Sequence, residues 1–322
     1  MQVQEIVLKK TRFVELTGCG SWFNQSRTIM TRPWIGRHRH YRPRAIKIPN
    51  YYYNRQVKST ATTPTISIVT PSLNYGDYIE RTIRSVLGQN YGQLEYVVQD
   101  GGSSDGTVKI LQHYEKSIYY WGSRKDNGQA NAVNLGFKHT TGEILAYLNS
   151  DDLLLPGALD AVAGFFWGHP DVDVVYGHRV LIDEHDQEVG RWILPPHEDM
   201  AILWADYVPQ ETLFWRRGIW DRVGSCLDES FTFAMDWELL LRFREAGAKF
   251  ARIPRFIGAF RIHRQQKTLS GMAGVGLEEM NRLLMSYHGR TEISREEKRN
   301  LRYYLLRHMA CHLMYRLRLL RY

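Results

Sequence analysis

Three short apolar runs, Thr65 to Thr70, Leu94 to Gln99 and Glu143 to Leu148, punctuate the first half of the chain and read as buried strands. Between the first two, Tyr78 to Leu87 has helical spacing. The second run leads into Asp100-Gly101-Gly102-Ser103-Ser104-Asp105-Gly106-Thr107, a turn whose Ser103, Ser104 and Asp105 are suited to cap a following helix. Strand, helix and strand in alternation predict an α/β fold with a mostly parallel sheet flanked by helices. Ligands bind such sheets outside the carboxyl ends of the strands, so Asn74, Asp100 and Asp151 are expected to face one crevice.

The third run ends in Leu148-Asn149-Ser150-Asp151-Asp152. Carboxylates this close suit a hard divalent cation, Mg²⁺ or Mn²⁺, which takes few protein ligands and keeps positions for substrate phosphates. Each element has a plainer reading: Asp-Gly-Gly is a turn signal, and Ser-Asp-Asp is equally suited to cap the next helix. Their occurrence together, each after a strand, favours a nucleotide and metal site.

Four segments resemble the family 2 inverting glycosyltransferases, of GT-A fold and bacterial cell-surface polysaccharide type. They are Ile68 to Asn74, Val97 to Thr107, Leu148 to Asp152 and Met235 to Arg242, and the likeness spans residues 64–268. It implies a nucleotide-sugar donor, with Asp100 accepting the imide N–H of a uracil base, hence a UDP-sugar. Pro71, Ser72 and Asn74 would line the base and ribose pocket. Asn149 and Ser150 stand in the family's metal motif, Asp151 as metal ligand and Asp152 as second ligand or orienter. Asp236 opens the family's acid-aromatic-acid helix and would be the general base that an inverting transfer needs. The alternative is that Asp236 only caps that helix. Glu238, two residues on, points to another face and is the weaker acceptor-side candidate.

Further segments extend the likeness. Gln210 and Glu211 stand as acceptor-side sugar contacts, unless Glu211 pairs with Arg216 or Arg217. His263, in Phe260-Arg261-Ile262-His263, would reach the diphosphate or metal, unless it is a structural histidine. Asp126 and Gln129 stand as nucleotide contacts. Two positions depart from the pattern. Asn149 replaces the first acid of the metal motif, removing one charge, and Arg124 stands where many relatives carry an acid.

Composition sets the frame. The 322 residues suit one large α/β domain with appendages, residues 1–63 as a basic arm and linker, 64–268 as the catalytic domain and 269–322 as a helical extension. Cys19, Cys226 and Cys311 are scattered, which suggests no zinc site or disulfide framework and a reducing cytoplasm. Neither a spanning run nor a signal-peptide core is evident. Residues 1–60 hold twelve Lys and Arg against two acids, and 290–322 nine against three, so a net charge of +8 leaves −8 between them. Basic ends on an acidic centre point to an anionic membrane surface or a partner. Aromatics among the N-terminal bases, such as Tyr51-Tyr52-Tyr53, suggest an arm wrapping the domain, and no nucleic-acid partner is expected. Leu301, Leu305, Met309, Leu313 and Leu317 recur every four residues, as in an interfacial helix or one packed on the domain or on a second subunit. The resulting expectation is a cytoplasmic, metal-dependent enzyme, either free or peripheral on the inner face of a membrane, that glycosylates a glycan or lipid-linked acceptor. A nucleotidyltransferase and a non-catalytic nucleotide-sugar-binding subunit are the rival readings.

Overall fold

The three apolar runs form adjacent strands in a computed structural model that describes residues 40–53, 63–264, 266 and 272–322. They are β1 (Ile66–Ser72), β2 (Leu94–Asp100) and β4 (Ile144–Tyr147), with β3 (Tyr120–Ser123) at the edge. All four are parallel in the order β3-β2-β1-β4. Every residue of β1 is buried because helices cover both faces, which is why the strand reads as a continuous apolar run rather than an alternating one. Successive side chains still separate. Ile66, Ile68, Val98 and Ile144 join a core with helix α1 (Ile79–Leu87), while Val69, Val97, Leu145 and Tyr147 join the opposite core with α3 (Gln129–Phe137). Helix α1 buries Ile79, Thr82, Ile83 and Val86, a one-sided stripe.

Beyond β4 the sheet becomes mixed. Strands β6 (Val174–Ile182), β8 (Phe214–Arg216) and β9 (Phe250–Arg261) extend it, with β5 (Leu153–Leu154) pairing β9 and β7 (Glu188–Trp192) pairing β6. The pair β6 and β9 is parallel, whereas β8 is antiparallel to both β4 and β6. The chain leaves β1 for β2 on one side and returns to β4 on the other, so the crevice forms at their common carboxyl end.

Residues 40–53 pack along the domain. Tyr41 N–H donates to Val189 O at 3.0 Å, and Tyr52 is fully buried with its hydroxyl accepting from Phe256 N–H at 3.0 Å. The remainder of the arm, residues 1–39, lies outside the described residues, as do most of the linker and Lys267 and Thr268.

Helices α8 (Leu277–His288) and α9 (Arg295–Arg316) pack on the domain through Met280, Leu283, Leu284, Leu301 and Tyr304. The expected stripe at every fourth residue is corrected here: α9 buries Leu301, Tyr304, His308 and Cys311, while Leu313 and Leu317 are 55% and 60% exposed. A spacing of four drifts around a helix of 3.6 residues per turn, so only the first leucine of that series meets the core.

Three imidazoles lie under α9. Leu194 N–H donates to His178 Nδ1 and Ile193 N–H to His312 Nε2, each at 3.1 Å, with His308 beside them. Burial, and then the neighbouring imidazoles and Arg252 or Arg316, hold all three below the ordinary value of 6.5, His308 at about 3 and His312 at about 4. Above pH 6.5 they are neutral folded or unfolded and add nothing. Below it the unfolded chain takes up protons that the folded one refuses, so stability falls with pH. The loss is expected to reach about 2 kcal/mol per histidine at pH 5. Protection of the α9 amides against hydrogen exchange, corrected for the pH dependence of the intrinsic rate, should fall between pH 7 and pH 5; unchanged protection over that range would exclude a role for these histidines.

Candidate active site

A cavity of about 480 Å³ opens at the carboxyl ends of β1 and β4. Pro71, Ser72, Leu73 and Tyr75 line it from the β1 loop, Asp126 and Gln129 from the start of α3, and Asn149 to Asp152 from the end of β4. Gln210 and Asp236 close the other side. Most of the sites read from the sequence therefore converge, and the exceptions have identifiable causes.

Asn74 stands in the left-handed region at φ 57° and is exposed. Its side-chain oxygen accepts Ser104 N–H at 2.9 Å and its own N–H donates to Ser103 Oγ at 2.7 Å, so it ties the β1 loop to the β2 turn and stays off the cavity wall. Asp100 is fully buried and also absent from that wall. Its Oδ2 accepts Gly102 N–H at 3.1 Å, Ser103 N–H at 2.9 Å and the Ser123 hydroxyl, and its Oδ1 accepts the Ser103 hydroxyl. A base reaching Asp100 has to displace one of those hydroxyls.

Amide groups link the two sides of the cavity. Gln129 Nε2 donates to Asn149 Oδ1 at 2.7 Å, Asn149 Nδ2 to Gln210 Oε1 at 3.1 Å, and Gln210 Nε2 to the Tyr147 carbonyl at 2.7 Å. Because the Tyr147 carbonyl holds the Gln210 amide nitrogen, Gln210 turns its oxygen toward residue 149, which must donate. This explains an asparagine where the motif usually has an acid.

Asp151 is nearly buried at the cavity edge, with Oδ2 at 2.9 Å from His263 Nε2. Tyr78 packs against the imidazole at 4.6 Å between ring centroids. Asp152, 1% exposed, spends its Oδ1 on Arg261 N–H at 3.0 Å, and burial followed by the adjacent Asp151 carboxylate pushes its own carboxyl well above the usual range. Its place is that of an anchor for β9 rather than of an open ligand. Arg261 turns away from the cavity, its Nε donating to the Asp151 carbonyl at 2.8 Å and its Nη1 pairing with Asp186. Among the described residues no three His, Cys, Asp or Glu side chains gather in a metal-holding group. The pair of Asp151 and His263 nonetheless fits a cation that keeps most of its positions for phosphate and water.

Asp236 lies in the first turn of α7 (Met235–Glu245), half-buried and facing the cavity. The helix cap falls at Ala234, two residues earlier, and the carboxylate serving that end comes from elsewhere. Glu279 of α8 accepts Thr232 N–H, Phe233 N–H and Ala234 N–H, each at 2.8 Å, and the Thr232 hydroxyl at 2.9 Å. Burial pushes the Glu279 carboxyl up, but these donors outweigh it and hold it below the usual range. Glu279→Gln is expected to lower stability by about 2 kcal/mol at neutral pH through lost capping. The deficit should shrink as pH falls below 4.5, where the unfolded wild-type chain takes up a proton that the folded carboxylate still refuses. Thermal melts at pH 7 and pH 4 measure this, and an equal deficit at both would refute it.

Two acceptor-side candidates are corrected. Glu211 is buried and forms a bidentate pair with Arg179, Nε to Oε1 at 2.7 Å, rather than meeting Arg216, Arg217 or the cavity. Glu238 pairs with Arg242 at 2.6 Å, because a two-residue step turns it about 200° around α7 from Asp236. It lines a separate hollow of about 400 Å³ with Arg282 and Tyr287. Asp206, Arg179, Tyr207 and Trp192, by contrast, line the cavity without any sequence signal having marked them. Asp206 and Tyr207 sit in a loop, Trp192 at the end of β7 and Arg179 within β6, none of them in a distinctive pattern.

Carboxylates from four segments share one crevice at the switch point of this sheet, the place where α/β folds bind their ligands. The sequence profile of glycosyl transferase family 2 matches residues 67–268, and the chain belongs to that family. It is 31% identical over 185 residues to an uncharacterised glycosyltransferase of Mycobacterium tuberculosis, covering 56% of this chain and 68% of that one. A Bacillus subtilis glycosyltransferase named for teichuronic acid biosynthesis, TuaG, is 41% identical over 92 residues, covering 28% of this chain and 36% of that one. Among solved structures, S. aureus TarS with UDP-GlcNAc aligns over 76% of this chain and 73% of its own at 18% identity, with a TM-score of 0.56. The mannosyltransferase PcManGT from Pyrobaculum calidifontis, with GDP-Man and Mn²⁺, aligns over 78% and 74% at 16% identity, TM-score 0.55. These structural likenesses establish the fold.

Proposed function

We propose that this glycosyltransferase moves a sugar with inversion from a UDP-sugar to a hydroxyl of a growing cell-surface polysaccharide or its lipid-linked precursor, aided by Mg²⁺ or Mn²⁺. The observation that carries the reading is the charge of the cavity. Asp126, Asp151, Asp206 and Asp236 line it, Asp152 being held toward its neutral form, and the sole arginine among the described lining residues, Arg179, is paired with Glu211. A diphosphate enters so acidic a cleft only with a cation. Asp151 and His263 would hold that ion, which when bound neutralises the departing diphosphate. Pro71, Ser72, Asp126 and Gln129 would flank the nucleotide. Asp236, across the cavity, would take the acceptor hydroxyl's proton as its oxygen attacks. TarS and TuaG, by the ligand and the pathway in their names, favour uridine and cell-surface glycans over the guanosine of PcManGT. Residues 64–268 would form the catalytic unit.

Calorimetry with UDP, GDP and dTDP, with and without Mn²⁺, tests the donor site. Metal-dependent binding of UDP supports the reading, and no nucleotide binding by folded protein would overturn it.

The outer face of α9 supports a place at the inner membrane surface. Leu306, Leu313 and Leu317, 55 to 60% exposed, lie opposite its packed side among Arg302 and Arg316, and no acid occurs between Lys298 and Tyr322. No helix among the described residues is long and apolar enough to cross a membrane. Sedimentation with phosphatidylglycerol vesicles is expected to exceed that with phosphatidylcholine at least tenfold, as a few near-surface arginines at about 1 kcal/mol each require. Equal sedimentation would exclude this face.

A further inference from the structure

The proposed transfer needs one acceptor-side carboxylate, Asp236, and a second carboxylate, Asp206, lines the same cavity. Asp236, Asp206 and Asp152 all lie close enough to Tyr147 to reinforce the rise that burial imposes on its phenol, and Asp206 also lies close enough to Arg179 to favour its charged form, so Asp206 and Arg179 are neighbours on the cavity lining. Glu211 grips Nε and Nη2 of Arg179, and the rings of Phe260 and Trp192 lie 4.4 Å and 5.2 Å from the guanidinium. Held on several sides, the group is a rigid donor with Nη1 as its remaining edge, and its charge is offset by Glu211. His40, the other basic residue among the described ones lining the cavity, is held below its ordinary value by burial and is neutral near pH 7. Leu181, Tyr207, Phe233 and Ile262 supply an apolar wall.

We propose that Asp206 and Arg179 form an acceptor subsite for a neutral, hydroxyl-bearing ring, and that this subsite selects against a ring carrying a carboxylate or phosphate. A carboxylate accepting from ring hydroxyls beside a fixed guanidinium donating to ring oxygens, with an apolar wall for the C–H face, matches a neutral sugar. An anionic group there meets Asp206 and Asp236 with no uncommitted cation among the described lining residues to offset them. The proposal rests on the donor and base assignments above and names the acceptor class of the same site.

The test uses the full chain and the UDP-sugar that gives UDP release. Octyl glycosides of neutral hexoses are compared with the matching hexuronides and hexoside 6-phosphates. Neutral acceptors are expected to show kcat/KM at least tenfold above both anionic sets. Asp206→Asn is expected to raise the KM for the acceptor at least tenfold while leaving UDP binding and the KM for the donor unchanged. An anionic acceptor preferred by the wild type, or an acceptor KM unmoved in Asp206→Asn, overturns the proposal, and the first comparison needs no variant to fold. Failure of the wild type to bind any nucleoside diphosphate overturns the donor reading instead, which separates the two failures.

Discussion

Asp236→Asn is expected to lower kcat by about 10² to 10⁴, the range that a positioned general base supplies. The substitution keeps the side chain's shape and its acceptor oxygen toward Trp237 N–H, 2.9 Å away in the wild type, so the first turn of α7 should stay in place. Lost is the capacity to take a proton from the acceptor hydroxyl during attack. UDP binding and the donor KM should be unaffected, because Asp236 is no part of the pair of Asp151 and His263 proposed to hold the ion. Single-turnover transfer with saturating donor and acceptor isolates the step. A variant keeping more than about a tenth of wild-type kcat would move the base to another group, with Asp206 the first to examine.

Asp151→Ala is expected to weaken metal-dependent UDP binding by at least about a hundredfold, some 3 kcal/mol. What disappears is the carboxylate that would hold the ion and, with it, the neighbour 2.9 Å from His263 Nε2. Asp152 cannot substitute, since its oxygen anchors Arg261 N–H and the residue is 1% exposed. His263→Ala should produce a smaller loss of the same kind. The calorimetric signature is the difference between titrations with Mn²⁺ and with a chelator, and it should shrink toward zero in Asp151→Ala. If the variant binds UDP and Mn²⁺ as the wild type does, the metal belongs elsewhere and the corner formed by Asp151 and His263 is structural.

The parallel half of the sheet was legible because its strands are buried on both faces. Ile66 to Thr70, Tyr96 to Val98 and Ile144 to Tyr147 carry the apolar, β-branched composition that such burial imposes. The antiparallel place of strand β8 between β4 and β6 was not legible, because direction leaves no mark on three residues. The amphipathic periodicity of α9 was visible and its facing was not. The buried positions run through His308 and Cys311, and a histidine is apolar enough to bury only where backbone donors such as Ile193 N–H meet the neighbouring imidazole.

The candidate site divides the same way. Sequence by itself determined the family, the strand ends that carry Ser72, Asp126, Asn149 and Asp151, and Asp236 at the start of its helix, because each follows a local pattern that backbone geometry dictates. Only the tertiary structure decided partners. Glu211 closes on Arg179 from 32 residues away, Glu238 turns to its own helix, and Glu279 crosses from the C-terminal extension to hold the turn before Asp236. Asp206, unmarked by any motif, reaches the cavity through the course of its loop. Ion pairs and hydrogen bonds between distant segments depend on distance and burial, which residue order alone does not encode at the level of one pair.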